Sequence, residues 1–126
     1  MGQKIRFLFP QSSIEVEAEL KESELGKKIV ALLPLEARVN TWGQEIYFPI
    51  PLRSDIIFPQ ELVKKGDIGY WPDGACLCLF FGPTPVSVNS EEIRPASDVE
   101  VVGQILGDVA VLEQISPGNV VKIVKD

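Results

Sequence analysis

The amino-acid sequence predicts a mainly β fold, with about eight short strands closed into a barrel and capped by one or two helices. Three observations lead to that class. Short segments that alternate apolar and polar residues, or are apolar throughout, recur along the chain. Glycines such as Gly66, Gly103, Gly107 and Gly118 punctuate them. Only one stretch, Glu22–Pro34, carries a clear helical period. Strands this numerous expose edges unless the sheet closes on itself, and a barrel removes those edges.

Each element has its own warrant. Lys4–Phe9, "KIRFLF", alternates moderately and reads as a strand ended by "PQSS". Ser13–Leu20, "SIEVEAEL", alternates cleanly: Ile14, Val16, Ala18 and Leu20 share one face, and three glutamates the other. In "ESELGKKIVALLP" the period changes, with Leu25, Ile29, Leu32 and Leu33 on one helical face. Ser23 suits the N-cap, Glu24 the first turn, and Pro34 ends the pattern. A turn at Asn40–Gly43 leads into a short strand, Glu45–Phe48. Pro49, Pro51 and Pro59 make the next stretch irregular, and "PQELVKKGD" is expected to hold one helical turn. "GDIGYWPDG" reads as a turn-rich loop before Ala75–Phe81, "ACLCLFF", which is apolar on both faces and so sits between covering layers. Ser90–Pro95 is a connecting turn, and Asp98–Leu106, Asp108–Ile115 and Asn119–Lys125 are β-rich. No repeat, low-complexity tract or linker interrupts the 126 residues, which read as one domain, 1–126.

Composition narrows the function. With 45% hydrophobic residues the chain can bury a core. A net charge of −6 supplies no basic patch for phosphate, so nucleic acid is not an expected partner. No segment approaches the ~20 apolar residues that span a bilayer, and the N-terminal apolar run is too short for a signal peptide. The cytoplasm is the expected compartment. The chain has no histidine, which removes Ser-His-Asp and Cys-His nucleophiles and the usual zinc sites. Cys76 and Cys78 stand at strand spacing with no third soft ligand, and read as packing residues. No cofactor or metal is called for.

Three blocks carry a family resemblance. "VVGQILGDVAVLEQI", Val101–Ile115, resembles the cyclophilin segment V-F-G-K-V-x-x-G-x-x-V-V-x-x-I. Gly103, Ile105, Val111, Leu112 and Ile115 are in register, and the second glycine comes one place early at Gly107. "TWGQEIYF" (Thr41–Phe48) and "GDIGYWPDGACLCLFFGPTP" (Gly66–Pro85) are more specific. Together they resemble a family of small prokaryotic cyclophilin-like proteins of unknown function, which implies a closed β-barrel capped by helices. Cyclophilins isomerise prolyl bonds with an arginine beside an apolar pocket, in a signature like R-I-I-P-G-F-M-x-Q-G-G-D. Here that region reads "EIYFPIPLRSD", the arginine position falls on or near Glu45, and the family's histidine corresponds to Val99.

The resemblance therefore implies the fold without the isomerase residues, and no catalytic residue is assigned. Two functional readings stay open. One is a binding domain that takes a small molecule or extended peptide in an aromatic cleft on the barrel wall. Its expected lining is Trp42, Glu45, Tyr47, Trp71, Phe80, Phe81, Thr84 and Arg94. An acid in the arginine's place favours a cationic or hydrogen-bond-donating ligand. The alternative is a divergent peptidyl-prolyl isomerase that recruits Arg38, Arg53 or Arg94. The oligomeric state is not legible in the sequence.

Overall fold

The computed structural model describes residues 2–126. Among them, nine antiparallel strands form one sheet: β1 (Gln3–Phe9), β2 (Ile14–Leu20), β3 (Leu35–Arg38), β4 (Asn40–Thr41), β5 (Glu45–Pro49), β6 (Asp67–Trp71), β7 (Cys76–Phe80), β8 (Glu100–Leu106) and β9 (Val120–Lys125). Their order is β3-β9-β1-β2-β8-β6-β7-β5-β4. The sheet curls until β3 contacts β5, which nearly closes the barrel.

Alternation decides what points inward. On β2, Val16, Ala18 and Leu20 are buried while Glu15 and Glu17 face solvent. Ile5, Phe7 and Phe9 of β1 fill the same interior, where Phe7 meets Phe48 edge-on with ring centroids 6.4 Å apart. Helix α1 (Glu24–Val30) buries Leu25 and Ile29 against this core. Its N-terminus is capped as expected, with Ser23 Oγ accepting from the Gly26 N–H at 3.1 Å. The helix ends at Val30, short of Leu32 and Leu33, which close it in a tighter turn.

Two expected elements differ. Asp108–Ile115 is not β-rich: Val109–Gln114 forms a 3-10 turn, capped by Asp108, whose carboxylate accepts from the Ala110 N–H. The valines that suggested a strand here seat Leu112 and Ile115 on the core from a different backbone. Pro59–Asp67 holds no helical turn, because its backbone is spent on bridges from Gln60 to Val99 and from Val63 to Ile93. Strand β4 falls in the expected turn at Asn40–Gly43, β3 in the unassigned stretch before it, and β6 in the expected loop "GDIGYWPDG", so the strand count among the described residues is nine. The proline-rich stretch after β5 is irregular, as expected, and is anchored from below. The Tyr70 hydroxyl donates to the Leu52 carbonyl at 2.6 Å, and buried Glu100 accepts from the Ile57 and Phe58 N–H groups. Among the described residues no helix is long and apolar enough to cross a membrane.

The wall formed by β5, β7 and β6 is buried on both sides. Leu77 and Leu79 of β7 face the barrel interior, whereas Cys76, Cys78 and Phe80 face outward. Ile93, Val99 and Val101 join those outward residues in a second, smaller core. The segment 93–99 lies over that part of the wall through Ile93, Pro95, Ala96 and Val99, and the candidate site is set there.

Candidate functional site

A pocket of about 210 Å³ opens on the outside of this wall. Trp42, Glu45, Tyr47, Trp71 and Cys78 line it from the sheet side, and Pro95, Ala96 and Val99 from the covering segment. Pairing register explains the assembly. Tyr47 lies opposite Cys78 on the β5–β7 ladder, and Cys78 lies opposite Gly69 on the β6–β7 ladder. Glu45 is opposite Phe80, one pair along the same face, so its side chain reaches Cys78 diagonally. Trp71 ends β6 opposite Cys76, rather than sitting in a loop as the sequence suggested. Trp42 follows β4 in the tight connection to β5, where Gly43 adopts a positive φ of 59°. A Cβ at that glycine would meet Pro85 Cδ at 2.8 Å, so the Trp42-Gly43 pair fits against the "GPTP" turn only without a side chain.

Gly69 has a matching role in the floor. A Cβ there would lie 3.1 Å from Val99 Cγ2 and 3.2 Å from Phe80 Cε2. Its absence lets both side chains close over the wall.

Glu45 dominates the electrostatics. The residue is 5% exposed, and Oε1 has no hydrogen-bond partner among the described residues. Burial pushes its pKa up from 4.5 to about 7, an effect that the hydrogen bond from Cys78 partly offsets. Burial, with the Glu45 charge adding to it, pushes both the Cys76 and Cys78 thiols above their ordinary value. Both cysteines are free and protonated at neutral pH, as packing residues would be. Glu45 is the one charged side chain among the lining residues. No group of three or more His, Cys, Asp or Glu among the described residues is placed to hold a metal ion.

The rim is held by a short relay. The Trp71 indole N–H donates to Ser97 Oγ at 2.6 Å, and Ser97 Oγ donates to Asp73 Oδ2 at 2.6 Å. This ties the covering segment to the turn after β6.

Of the eight expected residues, the structure brings Trp42, Glu45, Tyr47 and Trp71 together in the pocket. The other four lie elsewhere. Phe80 is fully buried beneath the pocket in the second core, and Phe81 turns into the barrel core. Thr84 is a loop staple: its hydroxyl donates to the Arg94 carbonyl, and its N–H donates to Ser87 Oγ at 3.0 Å. Arg94 directs its guanidinium at Glu92, with Nε 3.2 Å from Oε2 and Nη2 3.3 Å from Oε1. Arg38 donates to the Gly118 carbonyl, and neither it, Arg53 nor Arg94 lines the pocket. Sequence reasoning missed Cys78, Pro95, Ala96 and Val99 as lining residues. The outward direction of Cys78 follows from strand alternation once Leu77 is placed inside. The covering role of Pro95 and Ala96 has no sequence signal of comparable strength.

Comparison with known proteins agrees with the geometry. The family model described as cyclophilin-like matches residues 3–124. The solution structure of the hypothetical protein AF2241 from Archaeoglobus fulgidus is similar, with a TM-score of 0.83 and 34% sequence identity. That likeness covers 99% of this chain and 95% of the archaeal one. No curated protein matches. With the profile spanning nearly every residue and the barrel matched along its length, this chain belongs to the cyclophilin-like family.

Proposed function

We propose that the protein is a binding domain whose ligand sits in the pocket outside the β5–β7–β6 wall. One observation carries the reading: three aromatic side chains, Trp42, Tyr47 and Trp71, line the same pocket as a buried carboxylate with an unpartnered oxygen. Buried polar atoms are normally paired, and an orphan one on a residue that lines a cavity leaves a partner for a guest to supply. The volume also supports it. About 210 Å³ corresponds to roughly seven water volumes, room for a small molecule or one side chain of a peptide.

The positions where the cyclophilin resemblance places arginine and histidine are occupied by Glu45 and Val99, and both line this pocket. A carboxylate repels the carbonyl oxygen that the arginine would polarise, so the site is read as one for binding without prolyl isomerisation. An assay on X-Pro peptides tests this. The expected result is the uncatalysed rate. Catalysis well above it, lost on replacing Arg38, Arg53 or Arg94, would favour the isomerase.

A further inference from the structure

We infer that the ligand is a small protonated amine with an apolar body, its N–H donated to Glu45 and its cationic head set among Trp42, Tyr47 and Trp71. This rests on the reading of the pocket as a binding site and names what enters it.

Among the described residues, Glu45 is the one carboxylate that lines the pocket, and no lysine or arginine lines it. The protein thus supplies this carboxylate with the Cys78 thiol, a weak neutral donor, and leaves Oε1 bare. An ionised carboxylate in that position lacks a counter-charge, and taking it out of water unpaired is unfavourable. A cationic guest supplies the missing charge and the missing donor in one contact. A neutral alcohol or amide supplies the donor alone.

The walls point to the same class. Trp and Tyr rings attract cations within about 6 Å of their centroids, and tryptophan does so most strongly. Two of the three aromatics here are tryptophans. Val99, Pro95 and Ala96 are apolar and suit the carbon body of the guest. A quaternary ammonium satisfies the aromatic walls but has no N–H for Oε1, so the orphan oxygen selects an amine that retains at least one proton. The cavity volume limits the inserted part of the guest to about a single ring with a short chain.

Both tryptophans of the chain line this pocket, so their indole N–H resonances report on it without labels elsewhere. The probes are benzylammonium, benzyl alcohol and benzyltrimethylammonium, titrated at about pH 8, where Glu45 is ionised. Benzylammonium is expected to move both indole signals and to bind at least about tenfold more tightly than the other two. Glu45→Gln is expected to abolish that preference, so that the ammonium binds no more tightly than the alcohol. If the alcohol equals the ammonium, the cationic ligand is wrong and the pocket reading stands. Equal binding of the quaternary probe overturns the N–H contact to Oε1. If none of the three moves either indole signal at millimolar concentration, both the pocket reading and this inference fall.

Discussion

The Cys78 thiol and the Glu45 carboxylate form a hydrogen bond across the β5–β7 ladder, a diagonal pair on the outward face of a wall buried on both sides. The contact follows from register: Glu45 is opposite Phe80 and Tyr47 is opposite Cys78, so a side chain leaning one pair along the strand reaches the sulfur. It is a weak donor for a buried acid, and it leaves Oε1 without a partner. That imbalance separates Glu45 from the other buried carboxylates. Asp67 accepts from the Lys64 N–H and from Gln104, and Glu100 accepts from two backbone N–H groups. Those acids hold loops in place, and Glu45 holds none.

Glu45 makes stability fall with rising pH over a defined window. Its folded pKa, about 7, lies above the ordinary 4.5, so the folded state binds the proton more tightly than the unfolded chain. The stabilising contribution is complete below about 4.5 and is lost as pH rises through about 7. The difference is worth roughly 3 kcal/mol. Glu45→Gln removes this dependence. Urea unfolding of wild type and variant at both ends of the window checks it, and parallel pH profiles would sink the assignment.

Replacing Cys78 by Ala should raise the Glu45 midpoint further. The thiol hydrogen bond is what lowers it, and burial is left unopposed once the sulfur is gone. Carbon-13 titration of the Glu45 carboxyl reads this directly, and an unchanged midpoint would show that the contact is not made. The lost sulfur also leaves a small void, at a cost of about 1–2 kcal/mol. In the wild type, both thiols should resist alkylation until the protein unfolds, since each is buried and protonated.

Much of this was legible in the sequence because it depends on local pattern. The alternation of Ile14–Leu20, the cap at Ser23 and the doubly apolar Cys76–Phe80 each dictate their own structure. The family blocks carried the barrel. Trp42, Glu45, Tyr47 and Trp71, which line the pocket, fall inside those blocks. Phe80, Phe81, Thr84 and Arg94 were not separable from them by sequence. Whether an aromatic at a strand end joins a pocket or a core depends on which face it takes and what covers that face. For Phe80 the cover is Val99, from a strand entry far along the chain, and for Arg94 the decisive neighbour is its own Glu92. The 3-10 turn at Val109–Gln114 was misread for the related reason that β-branched residues packed from above look like a strand.

The floor of the pocket predicts a steric effect at Gly69. A methyl group there presses on Val99 and Phe80, both fully buried, with little room for either to retreat. Gly69→Ala should destabilise the protein by about 1–3 kcal/mol and lift the covering segment from the wall. Denaturation gives the first effect. Faster amide exchange at Val99 than in wild type would show the second, and unchanged exchange there would confine the damage to β6.

The Ser97 relay should govern how firmly the pocket is covered. Its hydroxyl accepts from the Trp71 indole and donates to Asp73, so one group fastens a pocket wall, the covering segment and the turn after β6. Ser97→Ala leaves the Trp71 N–H without its partner and costs about 1 kcal/mol of stability. The effect on the pocket is expected to be kinetic. Guests should enter and leave faster, because a covering segment held by fewer bonds opens more often, while Glu45 and its unpartnered oxygen are untouched by the change. Exchange broadening of the Trp71 indole resonance, compared with that of Trp42, measures this. Broadening confined to Trp71 supports the relay as a fastening, and equal broadening of both indoles would mean that the whole pocket has loosened instead.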